Sequence, residues 1–255
     1  MALNLIMLGP PGAGKGTQAE RFARARGIPK VSTGDILRDA VHEGTEIGRR
    51  VKAIVERGEL VSDDVMIPVV RERLDRPDAR NGFVLDGFPR TVVQAEALDT
   101  IVDGRGPLMV VDIVVPEIEL VRRLGSRMIC AGCGANAGHA PEPVAAIADK
   151  VMVPAGARVA AAETAAAIGA QTEPGRCCRC GGPLVQRADD NNAVVLERLK
   201  VYHLRTEPLV KYYKDRPTFR SVNGVQPPDQ VAAELAAAID AAHSIATSAG
   251  GGTRR

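Results

Sequence analysis

The chain has 255 residues, of which 45% are hydrophobic, so it is long enough to bury one substantial core. Lysine and arginine number 33 and acidic residues 31, and this near balance gives no reason to expect a nucleic-acid or membrane-surface partner. No apolar run approaches the length of about 18 residues that a membrane span needs, and no basic leader opens the chain, so a soluble, cytoplasmic protein is expected.

The predicted elements alternate between strands and helices along the chain. Residues 3–8 are a compact apolar run that predicts a buried strand, and residues 14–26 after it show helical spacing. The later elements are predicted in this order: helix 63–74, strand 83–85, helix 91–101, strand 109–115, helix 116–124, helix 191–213, a weaker strand at 218–222 and helix 228–245. This alternation predicts an α/β fold with a parallel, doubly wound sheet.

Two stretches fall outside the alternation, at about residues 32–61 and 125–186, and we interpret both as insertions at the rim of the sheet. Within the second, residues 137–170 are rich in alanine and divided by prolines, which predicts either a helical hairpin or a disordered segment. The polar, glycine-rich tail at 248–255 is expected to be disordered.

A glycine-rich motif, GPPGAGKGT at residues 9–17, joins the first strand to the first helix. In this context backbone N–H groups and the helix N-terminus surround a polyphosphate, and Lys15 reaches the outer phosphates. The common form of the motif places serine or threonine directly after the lysine as a magnesium ligand, but here Gly16 follows and Thr17 comes next. The motif therefore predicts a phosphate cradle whose magnesium site departs from the common one.

Three further motifs follow this loop: STGDILR at residues 32–38, DGFPRT at 86–91, and RADD at 187–190 with Arg198 and Leu199 behind it. Together these motifs are similar to those of the adenylate kinases over essentially the whole chain. The intervals between the motifs are similar too, except within residues 125–187. The resemblance implies an α/β, doubly wound five-stranded parallel sheet of P-loop type with two inserted mobile lid regions. It divides the chain into a P-loop core (1–31, 62–124 and 188–255), an AMP-binding insertion (32–61) and a lid (125–187).

The function implied by the resemblance is reversible phosphoryl transfer, ATP + AMP = 2 ADP, by a monomer. The implied AMP site comprises Thr33, Arg38, Leu60, Val61, Gly87, Arg90, Gln94, Arg187 and Arg198. In it Arg38 and Arg90 hold the phosphate, and Thr33 and Gln94 meet the base. The two arginines suit this role independently of the family, because a planar guanidinium grips phosphate oxygens through two hydrogen bonds.

The resemblance also assigns the ATP site and the catalytic groups. ATP binding falls to Gly12, Ala13, Gly14, Lys15, Gly16, Thr17, Arg123 and Arg127. The groups expected to converge on the transferring phosphoryl are Lys15, Arg90, Arg123, Arg127, Arg187 and Arg198, with Asp86 positioning hydrated Mg²⁺. Asp189 and Asp190 have two open roles, since they could orient arginines through ion pairs or cap the helix that follows.

The predicted chemistry requires no general base. A phosphate monoester acceptor has a second pKa near 6, so its attacking oxygen already lacks a proton at neutral pH. This explains why the motifs supply arginines and glycine amides in place of a His-Asp pair. Catalysis is then positioning plus charge stabilisation, with the two insertions closing over the nucleotides to exclude water.

Five cysteines lie within one stretch, as Cys130-x-x-Cys133 and Cys177-Cys178-x-Cys180. The two pairs, Cys130 with Cys133 and Cys177 with Cys180, have the spacing of knuckles that supply four thiolates to a structural Zn²⁺. The 43 residues between the knuckles exceed the usual length in zinc-bearing adenylate kinases. Reduced cysteines without metal, a redox site and an iron–sulfur cluster stay as alternatives, and Cys178 or His139 could substitute as a ligand.

Three rival functions also stay open. Arginines that bind phosphate do not read bases, so a kinase for another nucleoside monophosphate is the nearest rival. A nucleotide-sensing zinc protein is the second, although few aromatics and a near-neutral charge argue against a nucleic-acid module. The third is an interaction protein that the long insertion has derived from an enzyme, which the retention of every expected phosphate-binding arginine disfavours.

Overall fold

A computed structural model of the chain describes residues 2–134, 136–139, 175–177, 180–186, 190 and 192–249. Two units are present, the first made of Met1–Gly125 and Ala188–Arg255 and the second of Ser126–Arg187. The first unit contains a five-stranded parallel sheet of β1 (Leu3–Leu8), β2 (Lys30–Ser32), β3 (Gly82–Asp86), β4 (Leu108–Val114) and β8 (Phe219–Asn223). The strand order is β2-β3-β1-β4-β8, which confirms the predicted doubly wound α/β fold.

The central strands are apolar on both faces because helices cover the sheet on both sides. In β1, Ile6 and Leu8 pack into one core cluster, whereas Leu5 and Met7 pack into the other. All four side chains are at most 3% exposed. This burial on both faces is why the strand reads as a continuous apolar run and not as an alternating pattern.

The helices of the first unit are α1 (Lys15–Arg26), α2 (Thr33–His42), α3 (Glu46–Glu56), α4 (Asp63–Asp75), α5 (Val92–Val102), α6 (Glu117–Gly125), α7 (Asn192–Val201), α8 (Pro208–Tyr213) and α9 (Pro228–Ala249). The helix predicted at 191–213 is interrupted by a π-helical turn at Tyr202–Thr206. There the N–H of Glu207 bonds to the carbonyl of Tyr202, and Pro208 has no N–H with which to continue an α-helical ladder. None of the described helices is both long and apolar enough to span a membrane.

The segment at 32–61 contains α2 and α3, neither of which stood out in the sequence. Each helix begins at a side-chain cap: the Ser32 hydroxyl accepts from the N–H of Asp35 at 3.3 Å, and Thr45 accepts from that of Gly48 at 3.1 Å. Short β2 directly before α2 was also missed, because three residues carry too little pattern to predict a strand. The treatment of 32–61 as a separate AMP-binding insertion stays a prediction.

The second unit contains a three-stranded antiparallel sheet of β5 (Arg127–Cys130), β6 (Asn136–His139) and β7 (Leu184–Gln186), in the order β6-β5-β7. The first three residues of the alanine-rich segment predicted as a hairpin or as disorder belong to β6. Residues 140–170 of that segment lie outside the described residues, as do residues 250–255 of the tail. The backbone of α9 continues helically to Ala249, which shortens the predicted tail from its N-terminal side.

A cluster around Asp99 ties α5 to α8 and to the turn before β8. The Asp99 carboxylate accepts from the Tyr212 hydroxyl at 2.8 Å and from Arg216 at 2.9 and 2.6 Å. Burial would raise the pKa of Asp99, but the hydrogen bonds from Arg216 and Tyr212 and the charge of Arg216 hold it below its ordinary value. The stabilisation is therefore present above pH about 4 and is lost as pH falls through the lowered pKa.

We expect Asp99→Asn to lower the free energy of unfolding by about 1–3 kcal/mol at pH 7, because Arg216 keeps its partial burial and loses its charged partner. Urea unfolding followed by circular dichroism measures the loss. Asp103→Asn is the control, since this carboxylate at the end of the same helix is exposed. The difference between Asp99→Asn and wild type should shrink as pH falls below 4; a constant difference would contradict the ion-pair account.

Candidate active site

The loop between β1 and α1 has the geometry of an anion cradle. Its backbone turns through positive φ angles at Gly9 (131°), Gly12 (84°) and Gly14 (94°). A Cβ at Gly9 would lie 2.7 Å from the carbonyl oxygen of Ile113, so β4 leaves no room for a side chain there. Gly14 is the N-cap of α1, and neither a side-chain cap nor an acidic residue occupies the first turn. The first N–H groups and the positive end of the helix dipole are thus available to phosphate.

The ammonium group of Lys15 folds back onto its own loop. Its Nζ donates to the carbonyl oxygens of Gly9 at 2.7 Å and Pro10 at 2.8 Å. These bonds hold a positive charge at the mouth of the loop. An ammonium has three N–H donors, so an outer phosphate would share this group with the two carbonyl oxygens or replace them.

The carboxylate of Asp86 limits the space at Gly16, the residue at which this loop departs from the common P-loop. Asp86 ends β3, the strand beside β1, and a Cβ at Gly16 would lie 3.2 Å from its Oδ2 atom. A serine or threonine at residue 16 would crowd this carboxylate. The Thr17 side chain, one residue later, is exposed. Carboxylate and hydroxyl oxygens are donors that suit Mg²⁺, so the residues present fit a magnesium ion held beside the loop.

One cleft of about 610 Å³ lies beneath α2 and gathers most of the residues predicted to bind the acceptor. Its lining includes Thr33, Arg38, Leu60, Val61, Gly87, Arg90, Gln94 and Arg198. The Thr33 hydroxyl and the Nε of Arg90 both donate to the Gly87 carbonyl, at 2.8 and 2.9 Å. Side chains from two separate motifs, 32–38 and 86–91, are therefore bonded to one backbone oxygen directly after β3.

Two carboxylates orient polar side chains of this cleft. Arg38 pairs with Asp35 one helical turn earlier. Burial would raise the pKa of Asp35, but the charge and hydrogen bond of Arg38, with help from Ser32 and Lys30, hold it below its ordinary value. The side-chain amide of Gln94 donates to Asp63 at 2.7 Å and accepts from the backbone N–H of Arg90 at 2.8 Å.

A second cleft, of about 540 Å³, lies over the glycine loop and is lined by Gly9, Pro11, Lys15, Val201, Tyr202 and Thr206 among others. Five residues line both clefts: Gly58, Leu60, Gly87, Arg90 and Arg198. The Arg198 guanidinium is held by Asp190, which is fully buried, at 3.1 Å. Of the two roles considered for the RADD aspartates, the ion pair is the one observed for Asp190, while Asp189 lies outside the described residues.

The other predicted arginines differ in what surrounds them. Arg123 donates to Glu119 at 2.7 Å and to the carbonyl of Gly224, which follows β8, at 3.0 Å. Hydrogen bonds from Arg122 and Arg123, against some burial, lower the pKa of Glu119 to about 2. Arg127 begins β5 in the second unit, and Arg187 lies outside the described residues.

Sequence reasoning missed several supporting residues: Asp35, Asp63, Asp112, Glu119 and Gly224. Asp112 is 8% exposed, and its Oδ1 has no hydrogen-bond partner among the described residues. Burial raises the pKa of Asp112, and the nearby charge of Lys15 works against that rise. A charged residue inside the apolar run of β4 was the available signal, because a carboxylate at the end of a central strand lies beside the phosphate loop.

The sulfur atoms of Cys130, Cys133, Cys177 and Cys180 all lie within 4.8 Å of one another. Cys130 and Cys180 are 3.4 Å apart, and Cys133 and Cys177 are 3.7 Å apart. A tetrahedral site with Zn–S bonds of about 2.3 Å places its sulfurs about 3.8 Å apart, so this donor set fits such an ion. Backbone N–H groups of Cys133 and Gly132 point at the Cys130 sulfur and lower its pKa, which favours the thiolate that a metal requires.

Comparison with known proteins decides the family. The model of the family described as Adenylate kinase matches residues 7–218. The chain belongs to the adenylate kinase family. An adenylate kinase of Rhizobium etli is 44% identical over 92% of this chain and 98% of its own length. Adenylate kinases of Archaeoglobus fulgidus (42% identical; 93% of this chain, 98% of the relative) and Moorella thermoacetica (44%; 88% and 92%) are similar to it over comparable spans. The resemblance inferred from the motifs is therefore confirmed.

In this adenylate kinase family member, Gly9 has both a positive φ angle and no room for a side chain, and substitution can test the two constraints. We expect Gly9→Ala to destabilise the fold by several kcal/mol, because the new methyl group meets the carbonyl of Ile113 and the backbone is also strained. Gly27→Ala is the control for a left-handed residue in open space. Its φ is also positive, at 63°, but no heavy atom lies within 4 Å of its Cβ position, so only the backbone cost of about 1–2 kcal/mol remains.

Thermal unfolding with and without ATP measures both effects. Gly9→Ala should show the larger fall in Tm and a smaller ATP-induced rise, whereas Gly27→Ala should keep the wild-type rise. Equal losses in the two variants would show that neither the approach of β4 nor the larger φ of residue 9 adds to the ordinary cost of a left-handed residue.

Proposed function

We propose that the two connected clefts of this chain bind AMP and ATP and transfer a phosphoryl group between them by positioning and charge stabilisation. As a member of the adenylate kinase family, the chain is a nucleotide-binding phosphotransferase for the reaction ATP + AMP = 2 ADP. The observation that carries the mechanism is the sharing of Arg90 and Arg198 between the cleft over the glycine loop and the cleft beneath α2. Guanidinium groups common to donor and acceptor pockets suit the meeting point of two phosphates.

The acceptor site we propose comprises Thr33, Arg38, Leu60, Val61, Gly87, Arg90, Gln94 and Arg198. Arg38 and Arg90 would bind the AMP phosphate, and Gln94 and Thr33 would meet the base. Support comes from the lining of one cleft by all eight residues and from the hydrogen bonds that fix Arg90 and Thr33 on the Gly87 carbonyl.

The donor site we propose comprises Gly12, Ala13, Gly14, Lys15, Gly16, Thr17 and Arg123. The uncapped start of α1 and the ammonium of Lys15 would bind the phosphates of ATP. Adenylate kinases use Mg²⁺ with ATP, and Asp86, beside Gly16, would position the hydrated ion with Thr17 close by. When bound, this ion would neutralise phosphate charge.

The described residues of the two clefts account for transfer without a general base. The AMP phosphate carries no proton on its attacking oxygen at neutral pH, so the protein has only to align it and to offset the repulsion between two anions. Lys15, Arg90 and Arg198 supply fixed positive charge where negative charge accumulates in the transition state. The buried Asp190 holds Arg198 in position for that task.

Several expectations stay predictions from the resemblance: roles for Arg127 and Arg187 in ATP binding and transfer, closure of 32–61 and 125–187 over the nucleotides, a monomeric state and a cytoplasmic location.

For the metal, we propose that Cys130, Cys133, Cys177 and Cys180 hold one structural Zn²⁺. Four thiolates complete a tetrahedral shell and leave no position open for phosphoryl chemistry.

The reaction is tested by mixing purified protein with ADP and Mg²⁺ and separating the nucleotides formed. We expect ATP and AMP in equal amounts, with rates reduced about 100-fold or more in Lys15→Met and Arg90→Ala, since each removes a charged group from the transferring phosphate. Lys52→Met and Arg80→Ala are the controls, because both side chains are exposed and neither lines either cleft.

Comparison of AMP, GMP, CMP and UMP as acceptors for ATP then determines the substrate. Preference for another monophosphate would replace the proposed acceptor. Nucleotide binding without transfer to any of the four would overturn the enzymatic proposal.

Zinc is tested on protein purified without chelators. We expect about one zinc per chain, and removal of the metal should lower the Tm because metal binding and local folding are coupled. Cys177→Ser should lose the metal, whereas the matched control Cys178→Ser should keep it. Zinc loss in Cys178→Ser but not in Cys177→Ser would show that Cys178, and not Cys177, is the ligand. Wild-type protein without bound metal would reject the site.

A further inference from the structure

The side-chain amide of Gln94 is bonded at both of its ends. Its Oε1 accepts from the backbone N–H of Arg90 at 2.8 Å, and its Nε2 donates to Oδ1 of Asp63 at 2.7 Å. Gln94 is only 2% exposed, so water does not compete freely for either bond. The residue lines the cleft beneath α2, where the acceptor nucleotide is proposed to bind.

These two partners permit a single orientation of the amide. A backbone N–H can only donate, and an ionised carboxylate can only accept. Rotating the amide by half a turn would set its oxygen against the carboxylate and its NH₂ group against the N–H of Arg90. Both hydrogen bonds would be lost and replaced by repulsive contacts in a buried place.

Asp63 is itself fixed. It is the first residue of α4, and the Thr91 hydroxyl lies 3.1 Å from each of its carboxylate oxygens. The same hydroxyl oxygen accepts from the backbone N–H of Gln94 at 3.2 Å and caps α5. The start of α4, the cap of α5 and the amide of Gln94 therefore form one closed set of hydrogen bonds.

The locked amide retains one N–H and one oxygen lone pair for a ligand, beyond the bonds seen among the described residues. A donor beside an acceptor forms two hydrogen bonds with a base edge that carries the reverse order. Adenine offers N6–H as donor and N1 as acceptor. Hypoxanthine offers O6 as acceptor and N1–H as donor at the same two positions. An amide free to rotate could serve both bases, because rotation exchanges its donor and acceptor.

We propose that Asp63 is a specificity-determining positioning residue: by fixing the orientation of the Gln94 amide, it makes the acceptor cleft select a 6-aminopurine monophosphate over a 6-oxopurine monophosphate. The inference rests on the proposed AMP-binding function of this cleft. Asp63 acts through Gln94 and is not placed in contact with the nucleotide. Its charge matters because a permanent acceptor adds to the Arg90 N–H in opposing the rotated amide.

The test replaces Asp63 with asparagine, which has nearly the same shape but can donate as well as accept. We expect the ratio of kcat/KM for inosine monophosphate to that for AMP to rise about fivefold in Asp63→Asn, since the carboxylate that repels the oxygen of a rotated Gln94 amide is then gone and only the backbone N–H of Arg90 still opposes the rotation. Asp64→Asn is the matched control: it removes the neighbouring charge from the same helix turn, at an exposed residue that bonds to Ser62. Its ratio should stay at the wild-type value.

Two results would overturn the proposal. The first is an unchanged ratio in an Asp63→Asn protein whose Tm shows that it is folded; if kcat/KM falls equally for both acceptors, the role of Asp63 is structural alone. The second is the same shift in Asp64→Asn. Failure of the proposed function is distinguishable, because it appears as absent transfer to AMP in the wild type. Asp63→Glu, which keeps a pure acceptor, should retain the preference for AMP and covers the case in which the asparagine variant does not fold.

Discussion

The rest of the active site depends on the close passage of β4 behind the loop that leaves β1. The Ile113 carbonyl fills the space where a side chain at residue 9 would stand, so the loop must turn there with a bare backbone. That turn leads to the start of α1, where Gly14 is the N-cap and no side chain caps the helix. The backbone N–H groups at such a helix start and the positive end of the helix dipole favour a bound anion, which suits the loop to phosphate.

A second consequence concerns how charges are arranged around this loop. The flanking strands β3 and β4 each carry a carboxylate near the carboxyl end, and the register of β1 with its neighbours matches Asp86 to Met7 and Asp112 to Leu8. Since Met7 and Leu8 point to opposite faces of the sheet, the two carboxylates lie on opposite faces as well. Asp86 lies on the side covered by α1, beside Gly16. Asp112 lies on the other side, where its charge helps to raise the pKa of Tyr202 and interacts with the charge of Lys15. The phosphate loop is thus placed between two acidic groups that serve different partners.

Much of the fold could be predicted from the sequence because buried parallel strands and amphipathic helices leave strong patterns. The strand at 3–8 was predicted to the residue, and β3, β4 and β8 to within one or two. What the sequence could not give depends on contacts between distant segments. The turn at Tyr202 changes from α to π because Pro208 ends the ladder after it, and helical spacing cannot reveal such a change. Motifs named the side chains proposed to face the nucleotides, but not the carboxylates that orient them: Asp63 meets Gln94 only because α4 and α5 pack together.

The second unit shows how a fold can accept a long segment. Strands β5 and β7 pair side by side from Met128 with Gln186 to Cys130 with Leu184, and the cysteine sulfurs gather just beyond this pairing. The two ends of the intervening chain therefore meet at a fixed junction, whatever lies between them. Once the ends are joined, each doubling of the enclosed chain costs only about 0.6 kcal/mol of closure entropy. Because the ends are held in this way, the segment between the two cysteine pairs can become longer or shorter during evolution at little energetic cost. Such a change leaves the sequence of the phosphate-binding core unaltered.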